Sequence, residues 1–128
     1  MSSTAPLIQI ADDEVFMRRL LEATLKKGGY QVVQSATGVE ALEVAALRKP
    51  DLIIMDVMMP GLDGMAALRR LKGDEGTRAI PVIVLSSKGH SLTRVEAEKA
   101  GAVLFFTKPF SPTELLKEVK EILARGET

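Results

Sequence analysis

The sequence predicts an α/β fold: a doubly wound sheet of five parallel strands flanked by five helices. Three observations carry that expectation. Short aliphatic runs recur along the chain, stretches with apolar residues at helical spacing alternate with them, and turn residues separate each from the next. The runs are nearly continuous in Val, Ile and Leu, as strands covered on both faces are, and strictly alternating strand and helix builds a parallel sheet.

Leu7 to Ala11 reads as the first strand, closed by Asp12 and Asp13. Glu14 to Lys27 carries Val15, Phe16, Leu20, Leu21 and Leu25 at helical spacing and stops at Gly28-Gly29. Tyr30 to Gln34 is the second strand, and a second helix opens at Thr37-Gly38 and runs to Arg48, where Pro50 marks its end. Leu52 to Met55 carries Asp56 to the end of the third strand, and the turn-rich stretch Val57 to Gly64 follows, with Asp63 as N-cap of a helix from about Gly64 to Lys72. Val82 to Leu85 delivers Ser86 as the fourth strand, and the fourth helix is expected over Leu92 to Ala100 after a weakly patterned, mobile stretch containing His90. Val103 to Phe106 delivers Lys108, and Ser111-Pro112-Thr113-Glu114 starts a last helix reaching about Ala124.

Composition excludes several functions. A chain of 128 residues suits one domain over 1–128, with its core from about residue 6 to 125. Lysine plus arginine and aspartate plus glutamate are equal at 17 each, so neither a nucleic-acid footprint nor a membrane-surface bias shows. Without cysteine, and with one histidine, thiol chemistry and sulfur- or imidazole-rich metal sites are out, and any metal must take oxygen ligands. The N-terminus has no signal-peptide pattern, no apolar run approaches membrane-spanning length, and the expected location is cytoplasmic.

Open α/β sheets bind ligands at the carboxyl ends of their strands, and four strand ends here carry chemistry. Asp12, Asp13 and Asp56 would repel one another by about 1 to 4 kcal/mol per pair at about 4 Å, a cost that a cation removes. A site of few hard oxygen ligands favours magnesium, and magnesium invites phosphate. Lys108 supplies a cation for an anion opposite the metal, and Ser86 supplies a hydroxyl donor. The set suits phosphoryl transfer to an aspartate, with Asp56 as the nucleophile. Each residue alone has a plainer reading: Asp12 or Asp13 as a helix cap, Ser86 as a turn residue, Lys108 as a solvated surface lysine. His90 reads as solvent-facing, and Met55, Met58 and Met59 as core and loop filler.

Together these residues resemble the response-regulator receiver domain of two-component signalling. The resemblance rests on Asp12-Asp13, on Asp56-Val57-Met58-Met59-Pro60-Gly61-Leu62-Asp63-Gly64, on Ser86-Ser87 and on Lys108-Pro109-Phe110. It implies the flavodoxin-like receiver fold of a single-domain regulator, with Asp56 as phosphoacceptor from a sensor histidine kinase, a histidine phosphotransfer protein or a small phosphodonor. It further implies Mg2+ on Asp12, Asp13, Asp56 and the backbone carbonyl of Met58, Lys108 on the phosphoryl group behind an often cis bond to Pro109, and Ser86 and Phe105 as the switch pair. Its output surface would be the fourth helix, fifth strand and fifth helix, where Arg94, Lys99, Glu114, Lys117 and Lys120 offer charges. It would serve a separate downstream protein or a phosphorelay, as a monomer or a phosphorylation-dependent dimer, without touching nucleic acid or membrane. No effector follows the last helix, so a stand-alone regulator or a fragment of a larger one is expected. Phe105 stands where tyrosine is frequent, and Met58 and Lys88 place no carboxylate where water would be positioned, which implies a moderately long-lived phosphoryl state. A phosphorylation-independent docking module remains as an alternative. A magnesium-dependent aspartyl-phosphate phosphatase is another, disfavoured because Met58 stands where that chemistry wants a second aspartate.

Overall fold

The structure is a computed structural model and describes residues 5–59, 63–87 and 94–125. Strands whose side chains are apolar on both faces need helices above and below, and the described residues supply both layers. They run β1 (Leu7–Ala11), α1 (Val15–Lys27), β2 (Gln31–Ser35), α2 (Gly38–Arg48), β3 (Leu52–Asp56), α3 (Gly64–Gly73), β4 (Val82–Ser87), α4 (Arg94–Lys99), β5 (Leu104–Lys108) and α5 (Pro112–Arg125). All neighbours in the sheet are parallel, in the order β2-β1-β3-β4-β5.

The two-residue period of each strand divides the core. Ile8, Ile10, Leu52, Ile54, Ile83 and Leu85 pack with Leu21 and Leu25 of α1 and Leu115 and Val119 of α5. Their neighbours Ile53, Met55, Val82 and Val84 face the other way, against Ala41 and Ala45 of α2, Ala67, Leu68 and Leu71 of α3 and Ala97 of α4. Each fully buried Leu or Ile contributes about 1.5–3 kcal/mol relative to exposure. Small alanines on α2, α3 and α4 leave room for the strand side chains beneath them.

Caps mark the helix starts as the sequence suggests. The Asp63 side chain accepts the Ala66 amide at 2.8 Å, and Ser111 Oγ accepts the Glu114 amide at 3.2 Å. Thr37 Oγ1 accepts the Glu40 amide at 3.1 Å, while Glu40 Oε1 reaches back to the Ala36 amide at 2.6 Å. Gly29, at φ 95°, turns the chain out of α1 in a conformation that costs other residues more.

Several boundaries shift from their expected places. Tyr30 is outside β2, because its amide closes the end of α1 on the Leu25 carbonyl at 3.1 Å and its ring packs against the α1–α5 core. β4 continues to Ser87 and β5 to Lys108, since Ser86 pairs with Thr107 and Ser87 with Lys108. The described part of α4 is Arg94–Lys99, shorter than Leu92 to Ala100. Leu92, the expected mobile stretch with Lys88 and His90, and Pro60, Gly61 and Leu62 lie outside the described residues.

Candidate functional site

The strand order reverses direction between β1 and β3, and a reversal of this kind opens a crevice at the carboxyl edge. Ala11 is in register with Met55, so the next residues, Asp12 and Asp56, reach that edge side by side. One carboxylate oxygen from each of Asp12, Asp13 and Asp56 lies within 4.8 Å of the others. Asp12 is 0% exposed and Asp56 2%, whereas Asp13 faces solvent. The helix-cap alternative for Asp12 takes a different form: its Oδ1 accepts the Glu14 amide at 2.9 Å, which closes the loop before α1 rather than capping the helix.

Lys108, last residue of β5, reaches across the edge. Its Nζ lies 3.0 Å from Asp12 Oδ2, 3.6 Å from Asp56 Oδ2 and 3.5 Å from Glu14 Oε1. Burial works to lower the ammonium pKa, but the Asp12 hydrogen bond and the charges of Asp12, Asp56 and Glu14 outweigh it and raise it. The ammonium stays charged throughout the neutral range. The Lys108–Pro109 peptide is cis.

Asp56 is held differently. Burial, then the Asp12 charge, push its carboxyl from 3.8 up to about 6 against the opposing pull of Lys108 and the Met58 amide. Its Oδ1 is buried and has no hydrogen-bond partner among the described residues. A buried carboxylate oxygen without a partner costs free energy, and among the described residues three carboxylates against Lys108 leave negative charge in excess. That donor set fits a hard divalent cation with oxygen ligands.

The other expected residues fall around this edge. Ser86, 2% exposed at the end of β4, follows Leu85, the register partner of Asp56; its hydroxyl donates a long 3.4 Å bond to the Ser87 carbonyl. Phe105 is half-buried on β5 against the α2–α4 core, with the Arg94 guanidinium 6.0 Å from its ring centre. Met58 is 51% exposed.

Three residues were not singled out for the site from sequence. Glu14 adds a fourth carboxylate beside Lys108, and its position directly after Asp12-Asp13 was the available signal. A Cβ on Gly64 would run into the Asp56 carbonyl oxygen and the Val57 Cα, so glycine lets α3 begin against the backbone at the end of β3. Arg18 Nη1 donates to the Asp12 carbonyl oxygen at 2.7 Å, a contact with no signature in one dimension.

Comparison with known proteins agrees with this geometry. The family model for the response regulator receiver domain matches residues 8–120. The phosphate regulon transcriptional regulatory protein PhoB of Pseudomonas aeruginosa is 41% identical over 118 residues, 92% of this chain and 52% of that protein. Protein PilH of the same organism is 38% identical over 117 residues, 91% of this chain and 97% of that protein. The chain thus spans about half the length of PhoB and of several other curated relatives it matches. Among solved structures, the receiver domain of the sensor histidine kinase PA1611 from Pseudomonas aeruginosa PAO1 superposes with a TM-score of 0.81 at 31% identity, covering 95% of this chain and 97% of that one. That crystal structure has a magnesium ion coordinated in its active site cleft.

Proposed function

This chain belongs to the response regulator receiver domain family of two-component signalling, and we propose that Asp56 is its phosphoacceptor, charged by a sensor histidine kinase, a histidine phosphotransfer protein or a small phosphodonor. The observation that carries this reading is the Asp56 carboxylate itself: buried, with its pKa raised to about 6, beside a lysine and with one oxygen that has no partner among the described residues. At neutral pH it is ionised, and its oxygen attacks phosphorus as the bond from phosphorus to the donor's imidazole nitrogen breaks in line. Lys108, already oriented by Asp12, meets the phosphoryl oxygens with a fixed positive charge, and the Ser86 hydroxyl donates to another of them.

Asp12, Asp13, Asp56 and the Met58 carbonyl are proposed to hold a magnesium ion, which when bound supplies charge neutralisation for the phosphoryl oxygens. The magnesium in the related PA1611 receiver supports that assignment. Ser86 and Phe105 then serve as the switch. Movement of the Ser86 hydroxyl toward the new phosphoryl group vacates space beneath β5, into which the Phe105 ring rotates away from Arg94, and the α4–β5–α5 surface changes for a downstream partner, for phosphorelay or for a second copy. On this reading residues 1–128 are one receiver domain, which itself contacts no nucleic acid and works in the cytoplasm. Among the described residues no helix is long and apolar enough to cross a membrane.

The test is intact-protein mass spectrometry after incubation with acetyl phosphate and magnesium. A labile adduct of one phosphoryl group that requires magnesium and is lost in Asp56→Asn is the expected result. An unmodified chain under both acetyl phosphate and a phosphorylated histidine phosphotransfer protein would shift the function to a phosphorylation-independent docking module.

A further inference from the structure

Beside the acidic edge, a chain of polar contacts joins the Asp12 carbonyl, α1 and β2. Arg18, one turn into α1, donates from Nη1 to the Asp12 carbonyl oxygen at 2.7 Å and from Nε to Gln34 Oε1 on β2 at 2.9 Å. Gln34 donates in turn from Nε2 to Glu22 Oε1 at 2.7 Å, and Glu22 Oε2 pairs with Lys26 Nζ at 2.9 Å. We infer that Arg18, braced by Gln34 and Glu22, is a positioning residue that aims the Asp12-Asp13 loop and so sets the affinity of the acidic edge for a divalent cation. The inference rests on that edge being the cation site.

The Asp12 carbonyl belongs to the peptide that joins Asp12 to Asp13, so holding it fixes the plane from which Asp13 projects. Asp12 is already gripped elsewhere: its amide donates to the Ser35 carbonyl at 3.1 Å, its Oδ1 accepts from Glu14 and its Oδ2 from Lys108. Asp13 is solvent-exposed and has no core packing to direct it. A charge-assisted bond from a guanidinium that is itself anchored at a second point is a stiff support for that peptide. Supports of this kind, one bond removed from the ligands, typically alter metal affinity 10–100-fold when lost, and about 3–10-fold is expected at this half-exposed loop.

Two effects of Arg18 have opposite signs, which makes the inference testable. Its positive charge opposes a cation, whereas its grip on the loop favours one. Gln34→Met removes the brace and changes no charge; Arg18→Lys keeps the charge and loses the two-point bridge. Magnesium chloride titrated calorimetrically into wild type and both variants at constant ionic strength should give a dissociation constant about 3–10-fold weaker in each variant. Thr77→Val, which removes a buried hydrogen bond in the connection from α3 to β4 at the opposite edge of the sheet, serves as a stability control with unchanged affinity. Wild-type affinity retained in both variants would overturn the role of Arg18 while leaving the magnesium site standing. Tighter binding in either variant would overturn it as well. Absence of magnesium binding by the wild type would remove the cation site and this inference together.

Discussion

Replacing Asp56 with asparagine is expected to stabilise the metal-free protein. The side chain is 3% exposed, and its carboxyl is raised from 3.8 to about 6, first by burial and then by Asp12. An acid whose folded pKa lies above its unfolded value binds more protons when folded, so stability falls as pH rises from about 4 to about 6, and the full penalty persists above that. At about 1.4 kcal/mol per unit, the shift corresponds to about 3 kcal/mol at pH 7.5. Asparagine removes the charge and keeps the shape, so a gain of about 1.5–3 kcal/mol is expected, or about 4 °C in Tm per kcal/mol for a chain of this size. Urea titrations and thermal melts followed by circular dichroism in EDTA, at pH 7.5 and at pH 4, would measure it. The variant should be more stable at pH 7.5, and the gap should close at pH 4, where wild-type Asp56 is protonated. Magnesium at about 100 times its Kd should return about 2.7 kcal/mol to the wild type alone. A variant no more stable than wild type at pH 7.5 in EDTA would refute the claim that burial and Asp12 destabilise the Asp56 charge.

Lys108→Met removes a cation that lowers the Asp56 pKa, so that pKa should rise further above about 6, and phosphorylation by acetyl phosphate at neutral pH should slow about 100-fold; an unchanged rate in a stopped time course would remove Lys108 from the site. Gly64→Ala forces a methyl group against the Asp56 and Val57 backbone, and a loss of about 2–3 kcal/mol in urea unfolding is expected together with weaker magnesium binding. Thr77→Val tests a buried bond away from the site. Thr77, 3% exposed, donates from Oγ1 to the Leu71 carbonyl at 2.7 Å, and losing it should cost about 1–2 kcal/mol with magnesium affinity unchanged.

Much of this molecule was legible in one dimension because the relevant signals are local. The third strand was read with its observed limits, since Leu52 to Met55 is buried on both faces and admits no polar residue until the edge, where Asp56 appears. Asp63 and Ser111 were readable as caps because a cap contacts amides only three residues away. Boundaries moved where a distant partner decided them: Tyr30 was drawn back to α1, and β5 was extended to Lys108 by its pairing with Ser87. Arg18 was not readable from the sequence, since its partners are Gln34 on β2 and the Asp12 carbonyl.

From the order of residues alone follow the alternation of strands and helices, the oxygen ligands that any metal must take, and the aspartates, serine and lysine at the strand ends. Those properties follow from side-chain chemistry and from the two- and 3.6-residue periods, which neighbours in the chain are enough to set. The folded chain alone sets β1 beside β3, joins Lys108 to Asp12 across 96 residues, and leaves Asp56 with a buried oxygen that has no partner among the described residues. Strand order and register emerge from packing two helical layers on one sheet, and the electrostatics of the edge depend on distances that exist only once the sheet has closed.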